Sequence, residues 1–212
     1  MEIKADVVKL SPALPGTVWT NKNWNGDIWQ LAADWNLHVK GAGFNVDLLM
    51  HETFPTDGGS VPPPADTLIK PLGAFLLSFL GHDGIYGGEL LSRQEADYLL
   101  LLMLQAQGMG WVYRNGVYAA VRMGGAAVWK EHTAKSIAGA RKLLDIKLTG
   151  RLDNSKDMEL VTTCDLNTDH AKDIQRGITP LLFHKEMVAL AVRAADELPD
   201  DPILDNWISF LI

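Results

Sequence analysis

Residues 72–108 read LGAFLLSFLGHDGIYGGELLSRQEADYLLLLMLQAQG. In the first half Leu72, Phe75, Phe79, His82 and Tyr86 recur three or four residues apart, the spacing that puts side chains on one face of an α-helix. His82 therefore stands on an apolar stripe, with Asp83 beside it in sequence. The second half opens on Ser92-Arg93-Gln94-Glu95, a capping-box pattern in which the serine and the glutamate satisfy free N–H groups at a helix start. Tyr98-Leu99-Leu100-Leu101-Leu102-Met103-Leu104 is apolar all round, which predicts a buried helix. Gly108 closes it, a residue type favoured just past a helix end. Asp97 heads that apolar run, and a carboxylate there needs a partner because an unpaired buried charge is costly.

The short Gly87-Gly88-Glu89-Leu90-Leu91 connection predicts that the two helices fold back antiparallel. His82, near the end of the first, then meets Asp97, near the start of the second. An imidazole that gives one N–H to a carboxylate and keeps its other nitrogen free can take a proton from water, a general-base arrangement. A core histidine and a core aspartate also satisfy each other structurally, and residue types alone leave both readings open.

His82-Asp83-Gly84-Ile85-Tyr86 resembles the H-D-x-x-Y signature of the phospholipase A2 superfamily, and the helix with Ala96-Asp97 resembles its second catalytic helix. A wider resemblance spans roughly residues 30 to 130. There Phe54-Pro55-Thr56-Asp57-Gly58-Gly59-Ser60-Val61-Pro62, His82 to Tyr86, and Ser92 to Asp97 are similar to the ordered blocks F-x-T-D-x-x-S-x-P, H-D-x-x-Y and S-R-x-x-A-D of an uncharacterised domain family found mostly in tailed phages and prophages. The phospholipase resemblance implies that His82 deprotonates the attacking water, Asp97 orients His82, Tyr86 supports the site by hydrogen bonding and Asp83 binds calcium. The chain departs from that superfamily at the calcium loop. In place of a Gly-rich loop with an aromatic-Gly start it has Thr56-Asp57-Gly58-Gly59-Ser60, where Asp57 and loop carbonyls supply the oxygen ligands that hard cations prefer. Asp57, Gly58, Gly59 and Ser60 are thus the expected ligand loop, Asp83 and Asp57 the expected metal ligands, and a lipid or ester the expected substrate. The phage resemblance implies a virion or infected-cell cytoplasmic location.

The totals set bounds. The 212 residues, 47% hydrophobic and 21% charged, suffice for one domain, or a domain with an extension, around a real core. A net charge of −7 argues against a nucleic-acid binder that relies on broad electrostatics. The single Cys164 excludes an intrachain disulfide. The N-terminus lacks a signal-peptide apolar region, and no apolar run reaches the ~18 residues that span a bilayer.

Residues 1–53 read mainly as β structure. Thr17 to Thr20 and Ile28 to Leu31 are short strand-like runs, and Asp34 to Val39 with Phe44 to Leu49 alternate around a turn at Lys40 to Gly43, a hairpin signal. Trp19, Trp24, Trp29 and Trp35 are expected to pack this sheet. Residues 54–71, with five prolines and the Asp57-Gly58-Gly59 turn, form a loop. Trp111 to Arg114 and Val117 to Val121 flank Asn115-Gly116, which predicts a second hairpin, with Arg114 and Arg122 solvated by default or else facing an anionic substrate group. Glu131 to Ile146 predicts a helix with Ala134, Ile137, Ala138, Ala140 and Leu144 inward. Residues 149–179 read as loop and Leu181 to Leu198 as an amphipathic helix stopped by Pro199-Asp200-Asp201-Pro202. The tail from Ile203 to Ile212 is apolar enough to dock on its own core or on another chain, such as another phage protein.

The sequence therefore predicts an α+β protein in which small antiparallel β structure packs with the two-helix core. Residues 1–130 are the expected domain, and 131–212 a helical C-terminal extension. Two further functional readings stand beside a His/Asp ester hydrolase. One is a non-catalytic virion or assembly component that keeps the helix pair as scaffold. The other is a metal phosphohydrolase that uses His51, His82-Asp83 and Asp97 or Asp145.

Overall fold

The structure is a computed structural model that describes residues 1–12, 29–41, 43–58, 75–150, 152 and 180–212. It is α+β. A four-stranded antiparallel sheet has the order β1 (Glu2–Ala5), β4 (Trp35–Gly41), β5 (Phe44–Met50), β7 (Leu144–Gly150). A second sheet joins β2 (Leu10–Pro12), β3 (Trp29–Leu31) and β6 (Pro55–Thr56). The hairpin expected from period-2 alternation is β4–β5, with Trp35 opposite Met50 and Gly41 opposite Phe44. Its inward residues Trp35, Leu37, Val39, Phe44, Val46, Leu48 and Met50 are all buried. Trp35 packs the sheet as expected and donates its indole N–H to the Asp6 carbonyl at 3.0 Å. The Thr17–Thr20 run, with Trp19 and Trp24, lies outside the described residues.

Among the described residues six helices accompany the sheets: α1 (Leu76–Gly87), α2 (Arg93–Ala106), α3 (Trp111–Glu131), α4 (Ala134–Arg141), α5 (Pro180–Glu197) and α6 (Asp205–Leu211). Ser92 caps α2 through the predicted reciprocal box with Glu95. The α1–α2 pair is antiparallel at both ends. Ser78, near the start of α1, gives its backbone N–H to Gln107 just past α2 at 3.1 Å. His82, towards the end of α1, meets Asp97 in the first turns of α2. One face of α1 lies on the first sheet, where Gly81 faces Leu37 and Gly84 faces Met50.

Two expectations are corrected. Residues 111–121 form no hairpin; they are the first half of the 21-residue helix α3 and are buried all round. Asn115 returns its amide N–H to the Trp111 carbonyl one turn back at 2.8 Å, and Gly116 faces Met187 of α5. Strand propensity and an Asn-Gly pair are local signals, and here burial between α2 and α5 on a continuous helix outweighs them. The helix expected over 131–146 is also divided. α3 ends at Glu131, Thr133 and Ser136 form a new capping box, and α4 stops at Arg141. Leu144 then opens β7, which pairs along the whole of β5. Leu144-Asp145-Ile146-Lys147-Leu148 alternates with period 2, a strand signal inside the expected helix.

The C-terminal segment docks on the chain's own core. Ile203, Leu204 and Trp207 are buried, and Trp207 donates its indole N–H to the Val112 carbonyl at 3.1 Å. Phe210 keeps 44% and Ile212 69% of its surface exposed. No helix among the described residues is long and apolar enough to cross a membrane.

Candidate functional site

Asp97 is fully buried and is the hub of the site. Its Oδ1 accepts from His82 Nε2 at 3.1 Å. Its Oδ2 accepts from Arg93 Nη1 at 3.4 Å, one helical turn earlier, and from Arg122 Nη1 of α3 at 3.3 Å. Arg93 also donates to the Arg122 carbonyl at 2.8 Å. The second face of Arg122 is taken by Asp201, whose Oδ2 accepts from Arg122 Nε at 3.3 Å and from the Tyr118 hydroxyl at 3.1 Å. Asp201 lies between α5 and α6, and its Oδ1 accepts the Ile203 N–H at 3.2 Å. Two arginines and two aspartates thus balance within one buried network, the condition under which charges are tolerated away from water.

Because Asp97 is an acceptor, His82 carries its proton on Nε2. Its Nδ1 makes no hydrogen bond within the described residues. His82 is 9% exposed. Arg122, expected in solvent, is instead a member of this network. Arg114, also expected in solvent, is buried and donates to the Met109 carbonyl at 3.0 Å. The hairpin expectation hides both positions, since the helix at 111–131 sets Arg122 against Asp97 of α2 and Arg114 against the Met109 carbonyl before its own start. Asp201 was read only as part of a helix stop, and a single Asp between prolines carries no signal of burial. Burial pulls the Arg122 guanidinium down, but Tyr118, Asp97 and Asp201 together outweigh it and hold the group above its usual range.

Tyr86 lies one turn beyond His82, its ring 5.0 Å from the imidazole. Its hydroxyl donates to the Gly125 carbonyl. A Cβ at Gly125 would sit 2.7 Å from that hydroxyl, so only glycine lets the two helices approach this closely. Burial, with the nearby Asp97 charge, pushes the Tyr86 hydroxyl above its usual range, which keeps it a donor.

Asp83 faces a different neighbourhood. Its Oδ2 accepts from the Thr56 hydroxyl at 2.6 Å, and Thr56 Oγ1 in turn accepts the Gly58 N–H at 3.0 Å. Burial, and then the Asp57 charge, push the Asp83 carboxyl well above the ordinary carboxylate range, with the Thr56 hydroxyl opposing. The loop therefore comes to the helix pair at Thr56, Asp57 and Gly58. Gly59 and Ser60 lie outside the described residues. Among the described residues, no group of three or more His, Cys, Asp or Glu side chains is arranged to hold a metal ion. Asp57, Asp83 and Thr56 offer an oxygen-only donor set of the kind a hard cation takes, yet fewer than the six to eight oxygens of a calcium sphere.

His51 does not join this site. It bonds Asp34 Oδ2 at 3.3 Å and Asp145 Oδ2 at 3.2 Å. The residues of the phosphohydrolase reading are thus divided, with His51 on Asp145 and His82 on Asp97.

Fold and site together define an α+β protein with a His–Asp dyad held between two antiparallel helices. Residues 29–121 match the model of a family described as Protein of unknown function (DUF1353). No curated protein and no solved structure matches the chain. The matched residues contain the dyad, Arg93, Thr56 and Asp83, and stop one residue short of Arg122.

Proposed function

We propose that the protein is a phage-associated hydrolase of ester or lipid substrates, similar in its helix pair to phospholipase A2, in which His82 activates water. The observation that carries this reading is the bond from His82 Nε2 to the buried Asp97, which fixes the tautomer and leaves Nδ1 to accept a proton. Arg93 and Arg122 hold Asp97 in place, so the ring it orients is held from behind. Tyr86 braces the other side. If calcium takes part, Asp83 and Asp57 with loop carbonyls would hold it, and it would polarise the ester carbonyl.

A second reading has its own support. Every charge in the Asp97 network is satisfied, as a structural core requires, and Phe210 and Ile212 stay exposed at the C-terminus. That combination suits a non-catalytic virion or assembly component whose tail meets another phage protein. The two readings separate in one assay. Purified protein is incubated with phospholipid, lysolipid and simple esters, each with added calcium and with chelator. The hydrolase reading predicts turnover of at least one substrate; no turnover under either condition supports the scaffold.

A further inference from the structure

The face of α1 that carries His82 continues one turn on to Tyr86, and Glu89 follows in the turn that ends the helix. It meets Arg122, Gly125, Trp129 and His132, which recur at helical spacing along one face of α3 and its end. The two faces pair residue by residue. The Tyr86 hydroxyl bonds the Gly125 carbonyl, the Tyr86 ring meets Trp129 edge-on at 4.7 Å, and Glu89 Oε1 accepts from His132 Nδ1 at 3.0 Å. The seam therefore holds two imidazole–carboxylate pairs, His82–Asp97 and His132–Glu89. Both imidazoles pack on Tyr86, with ring centroids 5.0 and 5.7 Å from it.

The second pair is a built feature. Glu89 adopts φ +45°, a left-handed conformation that L-residues other than glycine adopt uncommonly. Its backbone N–H bonds the Tyr86 carbonyl at 3.1 Å and the Leu90 N–H bonds the Ile85 carbonyl at 3.0 Å, the turn that ends α1. Arg141 locks the turn by donating to the Gly88 carbonyl at 2.7 Å and the Glu89 carbonyl at 3.0 Å. The pair also reaches solvent: the His132 and Glu89 side chains are 15% and 26% exposed.

We propose that His132, oriented by Glu89, is the general acid that protonates the leaving group of the ester attacked at His82; this rests on the reading of His82 as the base. As the water oxygen bonds to the ester carbonyl carbon, His82 Nδ1 takes the water proton. When the tetrahedral intermediate collapses, the bond from carbon to the alcohol oxygen breaks. The electron pair of that bond takes the proton from Nε2 of His132 in its imidazolium form, while Nδ1–H stays on Glu89. The products are a carboxylic acid and an alcohol, and one proton exchanged through solvent restores both imidazoles. The substrate class this serves is an ester of an aliphatic alcohol, whose strongly basic alkoxide leaves poorly without a proton.

The test compares ethyl butyrate, a poor leaving group, with p-nitrophenyl butyrate, which needs no acid. Wild type is measured beside His132→Gln, Glu89→Gln and His82→Gln, with melting curves for each. His132→Gln is expected to lower kcat/KM for ethyl butyrate by roughly 10²-fold and to leave the p-nitrophenyl ester almost unchanged. Glu89→Gln should lower the ethyl butyrate rate by less than His132→Gln and leave the p-nitrophenyl ester almost unchanged, whereas His82→Gln should depress both. Equal losses on the two substrates in His132→Gln, no loss on either, or a wild type that cleaves only the activated ester would overturn the acid role while His82 stands as base. A wild type that cleaves neither ester removes the base reading, and this inference with it.

Discussion

Asp97 and Asp201 are joined through one guanidinium: Arg122 gives Nη1 to the first and Nε to the second, both at 3.3 Å. A residue of the C-terminal segment thereby braces the dyad. Removing one partner of a buried pair leaves a charge uncompensated, so Arg122→Met is expected to cost about 3 to 5 kcal/mol in urea unfolding. Asp201→Leu should be similarly harmful, and the double variant should lose less than the two singles together, with a coupling of about 0.5 to 3 kcal/mol. Strict additivity would show that the two side chains do not act together.

The Asp83 carboxyl sits above its ordinary value of 3.8 because of burial and the Asp57 charge. The folded chain therefore holds this proton more tightly than the unfolded chain. The stability linked to it is fully present below pH 3.8 and is lost as pH rises through the raised value. Asp83→Asn cannot ionise, and its amide oxygen can still accept from Thr56. Its melting temperature relative to wild type should rise between about pH 4 and pH 7. A difference that stays constant, or falls, over that range would contradict this account.

His51 is raised above 6.5, chiefly by its bond to Asp34, with burial opposing and Asp145 adding to the rise. Its contribution is complete below pH 6.5 and fades as pH rises through the raised value. His51→Gln should thus lower the melting temperature in acid and converge on wild type in alkali. The effect will be small, since exposed ion pairs contribute little. A gap that widens with pH would refute the assignment.

The dyad was legible in the sequence because both members broke a strong local rule. A carboxylate headed an all-apolar helix, a histidine stood on an apolar stripe, and the capping box fixed the register between them. The hairpin β4–β5 was legible for the opposite reason, since its residues keep the strand period throughout and clean alternation leaves one solution. What was not legible depended on tertiary partners. Arg122 and His132 are ordinary surface types until α3 runs unbroken through Asn115-Gly116 and brings the first to Asp97 and the second to Glu89; Asp201 is buried only once the C-terminal segment docks. That continuity is imposed by burial on every side of residues 111–121, which no local spacing reports.

The account stands most directly on His82 as a base. The measurement is kcat/KM for ester hydrolysis by wild type, His82→Gln and Asp97→Asn, with unfolding followed in parallel. His82→Gln should lower the rate by about 10² to 10⁴-fold while the protein stays folded. Asp97→Asn should lose less catalysis and more stability, because it orients the base and also neutralises Arg93 and Arg122. An ester hydrolysed as fast by folded His82→Gln as by wild type, or by neither, would contradict the claim.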